Sequence, residues 1–197
     1  MIEVVEPGLA TTVQDTGRRG YYHLGMPPSG AMDQFAHEVA NALVGNDPSA
    51  ATLEMTYLGP ELEFHEDATI AVAGADMAPI LDGESIEMNR SYEVESGETL
   101  SLDAAADGVR SYLAVSGGVD VPSFMGSRST YTLIGIGGFD GRTLEAGDEL
   151  PIGEAPNSIS GRSVDESLLP KYGNEGPVRV VMGLCDYRLT DAGKAEF

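Results

Sequence analysis

The chain has 197 residues, with 32 Asp and Glu against 11 Lys and Arg, for a formal net charge of -21. Hydrophobic residues at 42%, with 25 Gly and 11 Pro, suit a globular protein rich in strands and turns and argue against disorder or a helical bundle. The acidic surplus excludes binding to nucleic acid through its phosphates, no 18-residue apolar run could cross a membrane, and the acidic start MIEVVEPGLA is unlike a signal peptide, so a soluble, cytoplasmic protein is expected.

The acids are spread through Glu61, Glu63, Glu66 and Asp67, through Glu93, Glu95 and Glu98, and through Glu145, Asp148 and Glu149. Such a surface repels itself at ordinary salt, whereas at 1 M the Debye length falls to about 3 Å and the repulsion is screened. That pattern is expected of a halophile's cytoplasm; an acidic face made for a basic partner would show blocks of like charge, which are absent.

The first notable segment runs from Gln14 to Asp33, QDTGRRGYYHLGMPPSGAMD. Its glycines and prolines hold non-repetitive turns, and Asp15, Arg18, His23, Ser29 and Asp33 supply two acids, a carboxylate binder, a titratable base and a hydroxyl. Two readings stand. The loop could present these groups to an anion at a helix N-terminus, or it could be a rigid loop in which Asp15 and Arg18 pair and Ser29 caps the helix.

From Met32, the positions Met32, Phe35, Ala36, Val39, Ala40, Leu43 and Val44 follow helical spacing and predict an amphipathic helix with this stripe in the core. Ser29 is the expected N-cap, Asp33 falls in the first turn, Gly45 stops the helix, and His37 is expected on the solvated side. Short segments punctuated by Gly and Asp then predict strands at Leu53–Met55, Thr69–Ala73, Pro79–Leu81, Thr99–Leu102 and Ser111–Val115. Asp82-Gly83 marks a two-residue hairpin. Many short strands with one helix suggest a closed or nearly closed β-barrel.

A second polar segment carries Ser127, Arg128, Ser129 and Thr130, then the glycine-rich run Gly135–Gly141. The hydroxyls around Arg128 could grip a carboxylate or phosphate, or could merely satisfy turn backbone. The glycine run is no dinucleotide fingerprint, because Asp140 stands at the third glycine position. Between Gly153 and Pro177 strand periodicity is lost and a domain boundary is expected. Val178–Met182 then reads as a strand and Thr190-Asp191 as the start of a helix. His23, His37 and His65 lack ligand spacing, so no metal site is expected. Cys185, the sole cysteine, has no evident base and is expected to be a small buried thiol.

The stretch TTVQDTGRRGYYHLGMPPSGAMD, followed by ANALVGNDPSAATLEMTYLGPELEF, AVAGADMAPILDG, SYLAVSGGVDVPSFMGSRSTYTLIGIGGFDGRTLEAGDELPIG and VRVVMGLCDYRLTDAGKAEF, resembles the family of the 5-oxoprolinase C-type subunit, allophanate hydrolase subunit 2 and the Kip antagonist, also called biotin-dependent carboxyltransferase-like. The resemblance implies a mainly β fold of cyclophilin-like β-barrel type, with residues 1–153 as the first domain, 154–177 as linker and 178–197 as the start of a second, truncated domain. Members are longer, so a missing last third is expected.

Three functions follow from the resemblance. One is the C-type subunit of ATP-dependent 5-oxoprolinase, opening 5-oxoproline to glutamate with partners of the A type and of the B type, the latter like allophanate hydrolase subunit 1. Another is a component moving a carboxyl group from carboxybiotin to urea or a similar amide, and the last is an antagonist that binds a kinase inhibitor. The first is the expectation, with ATP bound with or by the partner subunits and a small amide or lactam as substrate. Neither Lys171 nor Lys194 has the methionine flanks of a biotin-attachment lysine, so biotin is not expected on this chain. The expected catalytic residues are Asp15, His23 and Asp33, and the expected substrate-binding residues are Arg18, Ser29, Ser127, Arg128 and Thr130.

Overall fold

A computed structural model describes residues 1–155, 159–171, 177 and 179–196. In chain order the elements are β1 (Ile2–Glu6), β2 (Thr11–Gln14), α1 (Gln34–Val44), β3 (Thr52–Thr56), β4 (Glu61–Phe64), β5 (Ala68–Asp76), β6 (Ile80–Leu81), β7 (Glu84–Ser85), β8 (Ser91–Val94), β9 (Thr99–Ser101), β10 (Asp107–Val115), β11 (Glu149–Leu150) and α2 (Asp191–Glu196). The strands form two antiparallel sheets, ordered β11-β1-β4-β9-β6-β7 and β2-β3-β10-β5-β8. The expected mainly β fold is therefore present, as two sheets that share one core.

Alternation along the strands decides what each face meets. Ile2, Val4, Leu62, Phe64, Leu100 and Leu150 of the first sheet pack against Val13, Leu53, Met55, Ile70, Val72, Leu113 and Val115 of the second. The opposite face of the second sheet presents Ala71, Ala73, Ala114 and Tyr112, and α1 lies on it through Ala36, Ala40, Leu43 and Val44. β5 and the C-terminal half of β10 are thus covered on both faces, which is why they read as apolar runs. Small alanines let the helix approach closely. Gly74 (φ +110) marks the bulge where β5 and β10 shift register, and a Cβ there would meet the Arg110 carbonyl at 2.6 Å. The Asp82-Gly83 hairpin forms as expected, with both residues at positive φ between β6 and β7.

Several expectations need correction. Asp33, not Ser29, is the N-cap of α1: its Oδ1 accepts from the Ala36 N–H at 3.0 Å, while Ser29 sits upstream at φ +53. The buried stripe is rotated, because Met32 and Phe35 are 71% and 47% exposed whereas His37 and Asn41 are fully buried. His37 turns inward because the chain returning from α1 offers it partners, the Thr52 hydroxyl at 2.9 Å from Nδ1 and the Pro48 carbonyl at 3.0 Å from Nε2. Burial pushes its pKa below the ordinary 6.5, with the Pro48 carbonyl opposing. Cys185 is exposed, since it opens a short turn on a segment where Val181 and Leu184 are also exposed. No strand forms over 179–182, and residue 178 lies outside the described residues.

Residues 160–169 lie against the second sheet and the end of α1. The Ser91 N–H donates to the Arg162 carbonyl at 2.8 Å, the Val164 N–H to the Asn89 carbonyl at 3.1 Å, and Arg162 Nη1 reaches the Ala42 carbonyl at 2.9 Å. No helix among the described residues is long and apolar enough to cross a membrane.

Candidate functional site

The outer edge of β2 is covered by the segment Ser127–Thr130 rather than by a strand. The Thr130 N–H and hydroxyl both donate to the Val13 carbonyl at 2.9 Å, and the Asp15 N–H donates to Ser129 Oγ at 3.0 Å. The two polar segments singled out in the sequence therefore meet here, although more than 110 positions separate them.

Asp15 is the knot. Oδ1 accepts from Ser127 Oγ at 2.6 Å, Ser129 Oγ at 2.5 Å and the Gly17 N–H at 2.7 Å, and Oδ2 accepts from the Arg128 N–H at 2.5 Å. Burial by itself raises the Asp15 carboxyl, but these four donors outweigh it and hold the pKa below the ordinary carboxylate value. Gly17 (φ +86) lets the loop fold back, since a Cβ there would meet the Ser29 carbonyl at 2.7 Å. The return is sealed by the Arg18 N–H to the Pro28 carbonyl at 2.7 Å and the Ala31 N–H to the Asp15 carbonyl at 2.9 Å.

Arg18 is 1% exposed. Its Nη2 donates to the Ser129 carbonyl, and its Cζ lies 5.8 Å from the centroid of the Phe124 ring. Nε and Nη1 have no hydrogen-bond partner, and among the described residues Arg18 makes no ion pair, with Asp15 or any other acid. Burial pulls its pKa down and the nearby Asp15 charge opposes that. The Asp15–Arg18 pair of the rigid-loop reading is thus absent: the carboxylate is committed to hydroxyl and backbone donors.

The other expected site residues disperse. Arg128 contributes its backbone to Asp15, but its guanidinium turns away to the Val121 carbonyl at 2.7 Å and to Asp120 at 2.6 Å. His23 is exposed in a 3-10 turn at the tip of the loop, and Asp33 is occupied as helix cap. Ser129, which links Asp15 to Arg18, was not among the expected site residues, although its place in the hydroxyl-rich run signalled it. Phe124, Gly137 and Gly138 were also missed. They line a cleft of about 500 Å³ together with Val121, Phe139 and Asp140, next to the Arg18 guanidinium. Two larger clefts, of about 670 and 730 Å³, lie elsewhere and touch none of the expected residues. Among the described residues no group of three or more His, Cys, Asp or Glu is arranged to hold a metal.

The match to the carboxyltransferase domain, subdomains A and B, extends over residues 24–197. The chain is 41% identical over 175 residues to urea amidolyase of Saccharomyces cerevisiae, which covers 86% of this chain and 10% of that protein. It is 41% identical over 169 residues to the C-type subunit of 5-oxoprolinase from Escherichia coli, covering 85% of this chain and 54% of that one. The crystal structure of Kluyveromyces lactis urea amidolyase superposes with a TM-score of 0.83 at 39% identity, over 88% of this chain and 11% of that one. The chain so spans about half the length of its 5-oxoprolinase relative and a small part of the amidolyases. With a family match over most of its length and a fold that superposes on a similar protein, this chain belongs to the carboxyltransferase domain family, subdomains A and B.

Proposed function

We propose that the chain serves as the C-type subunit of a 5-oxoprolinase, opening 5-oxoproline to glutamate with ATP hydrolysis beside A-type and B-type partners. The observation that carries this reading is the similarity to a 5-oxoprolinase subunit of which the chain covers more than half. The amidolyases are instead much longer proteins in which the matching region is a minor part. ATP belongs on a partner subunit: Gly137, Gly138 and Gly141 pack against Ser129, Thr130 and Gly135, and the run is no dinucleotide or phosphate-loop motif. In this reading Arg18 supplies charge for the substrate, Asp15 with Ser127 and Ser129 holds Arg18 in place, and exposed His23 is the loop's group free to meet a substrate held by a partner.

A second reading, carboxyl transfer to urea or a similar amide, draws on the superposition with urea amidolyase. One reconstitution separates them. Mixed with A-type and B-type subunits, the chain is expected to be required for glutamate and ADP to form from 5-oxoproline and ATP. An unchanged rate on leaving it out removes the first reading, and carboxylation of urea from carboxybiotin in its place establishes the second. The spread acidic surface further supports salt adaptation, for which the melting temperature should rise as KCl approaches molar concentration; a flat response overturns it.

A further inference from the structure

Among the described residues Arg18 is the enclosed side chain left furthest from satisfied. A buried guanidinium with two unpartnered nitrogens is strongly unfavourable unless something supplies acceptors. Asp15 does not do so: four donors already sit on its oxygens, and it makes no hydrogen bond or ion pair with Arg18. Ser129 offers one carbonyl to Nη2 and nothing to the rest. The cation lies directly behind the wall of the 500 Å³ cleft: Phe124 stacks on it, and a Cβ at Gly137 would come within 2.5 Å of Nη2. At Gly137, therefore, only backbone separates cleft from guanidinium, whereas Thr130 stands behind Gly138. Phe124, 40% exposed, both lines the cleft and lies against the guanidinium.

We infer that this cleft receives a small carboxylate, with Arg18 as its counter-charge and Phe124 as the gate. The chain carries a net charge of -21, and a cation enclosed behind the cleft gives a carboxylate a local counter-charge apart from that acidic surface. The inference deepens the 5-oxoprolinase reading and rests on it for the lactam ring: 5-oxoproline carries a carboxylate at neutral pH, whereas urea is uncharged. A guanidinium with open donors is suited to the former.

The test titrates the 197-residue chain with 5-oxoproline, with acetate, and with pyrrolidinone, the same lactam without its carboxylate. Calorimetry gives affinity, and nitrogen-15 NMR follows the Arg18 Nε–H signal, assigned with Arg18→Lys. Both carboxylates should shift that signal, and 5-oxoproline should bind roughly tenfold or more tighter than pyrrolidinone. Arg18→Gln should abolish the preference, and Phe124→Ala, at an exposed position, should change 5-oxoproline affinity with the melting temperature held. An unmoved Nε–H signal, equal affinity for both lactams, or indifference to Phe124→Ala overturns the inference and leaves Arg18 a hydrated structural residue. Should Arg18→Gln fail to fold, the wild-type signal and Phe124→Ala decide alone. Carboxylate binding at Arg18 without ring opening by the reconstituted assembly keeps the site and removes the 5-oxoprolinase reading; ring opening that needs this chain while the signal stays fixed does the reverse.

Discussion

Two buried polar clusters in this fold each gather donors around one carboxylate and end differently. Beneath α1, Glu54 accepts from Tyr112 Oη at 2.7 Å and from the Met32 N–H at 2.8 Å, Tyr112 Oη accepts from the Asp33 N–H at 2.8 Å, and His37 and Asn41 each use their polar atoms on neighbouring chain. Nothing there is left over. Beside β2, Asp15 is equally saturated, yet Arg18 Nε and Nη1 and Gln14 Oε1 have no partner. A closed network fixes structure, whereas leftover capacity in the interior has to be met by something the chain lacks. The second cluster is accordingly the one on which the carboxylate site inferred above rests.

If that distinction holds, the largest loss should come from the knot itself. Asp15→Ala strands four donors and takes away the negative charge that favours the Arg18 cation, so denaturant unfolding should show a loss of about 3–5 kcal/mol. A loss below about 1 kcal/mol would mean water already shares those donors, and the contrast with α1 would dissolve. Tyr112→Phe comes next. It removes one hydroxyl that both donates to Glu54 and accepts from Asp33, at a cost of about 1–3 kcal/mol by the same measurement. Burial and the adjacent Glu54 carboxylate raise the Tyr112 pKa far above its ordinary 10.0, so this network stays intact well into alkali.

Acid separates the two clusters in pH. His37 is held below 6.5, so the unfolded chain takes up a proton that the native state refuses, and stability declines as pH falls below about 6.5. Asp15 is a depressed carboxylate: its contribution is complete above 3.8 and disappears as pH falls from there through its folded value. Melting curves against pH should therefore bend twice. His37→Gln should flatten the first bend and Asp15→Asn the second; a profile in which His37→Gln changes nothing above about pH 5 would show that His37 is not neutral in the fold.

Sequence patterning foretold the strands it could count, such as β5 and β10, because continuous apolar runs report burial on both faces. It also found both polar segments that meet at β2. It misjudged the side of α1, since helical spacing counts apolar residues and has no way to register that Thr52 and Pro48 would satisfy His37. Met32 and Phe35 fit the stripe by spacing and still face outward. The separation of Arg128 from Arg18 was equally hidden: both are arginines in glycine-rich loops, and only the packing shows that one is paired at the surface and the other enclosed.

That last difference yields the smallest effect and the sharpest discrimination. Arg128 is a partly exposed ion pair with Asp120, worth about 0–1 kcal/mol before salt screening. What Asp15 takes from residue 128 is a backbone N–H that any residue but proline supplies. Arg128→Ala should hence leave unfolding free energy nearly unchanged, and with it the affinity for carboxylate probes, while Arg18→Gln removes that affinity. If Arg128→Ala instead abolishes carboxylate binding at unchanged stability, the counter-charge is the surface guanidinium. The ligand would then sit over Asp120 and Val121, and the unpartnered nitrogens of Arg18 would mark buried water rather than a site.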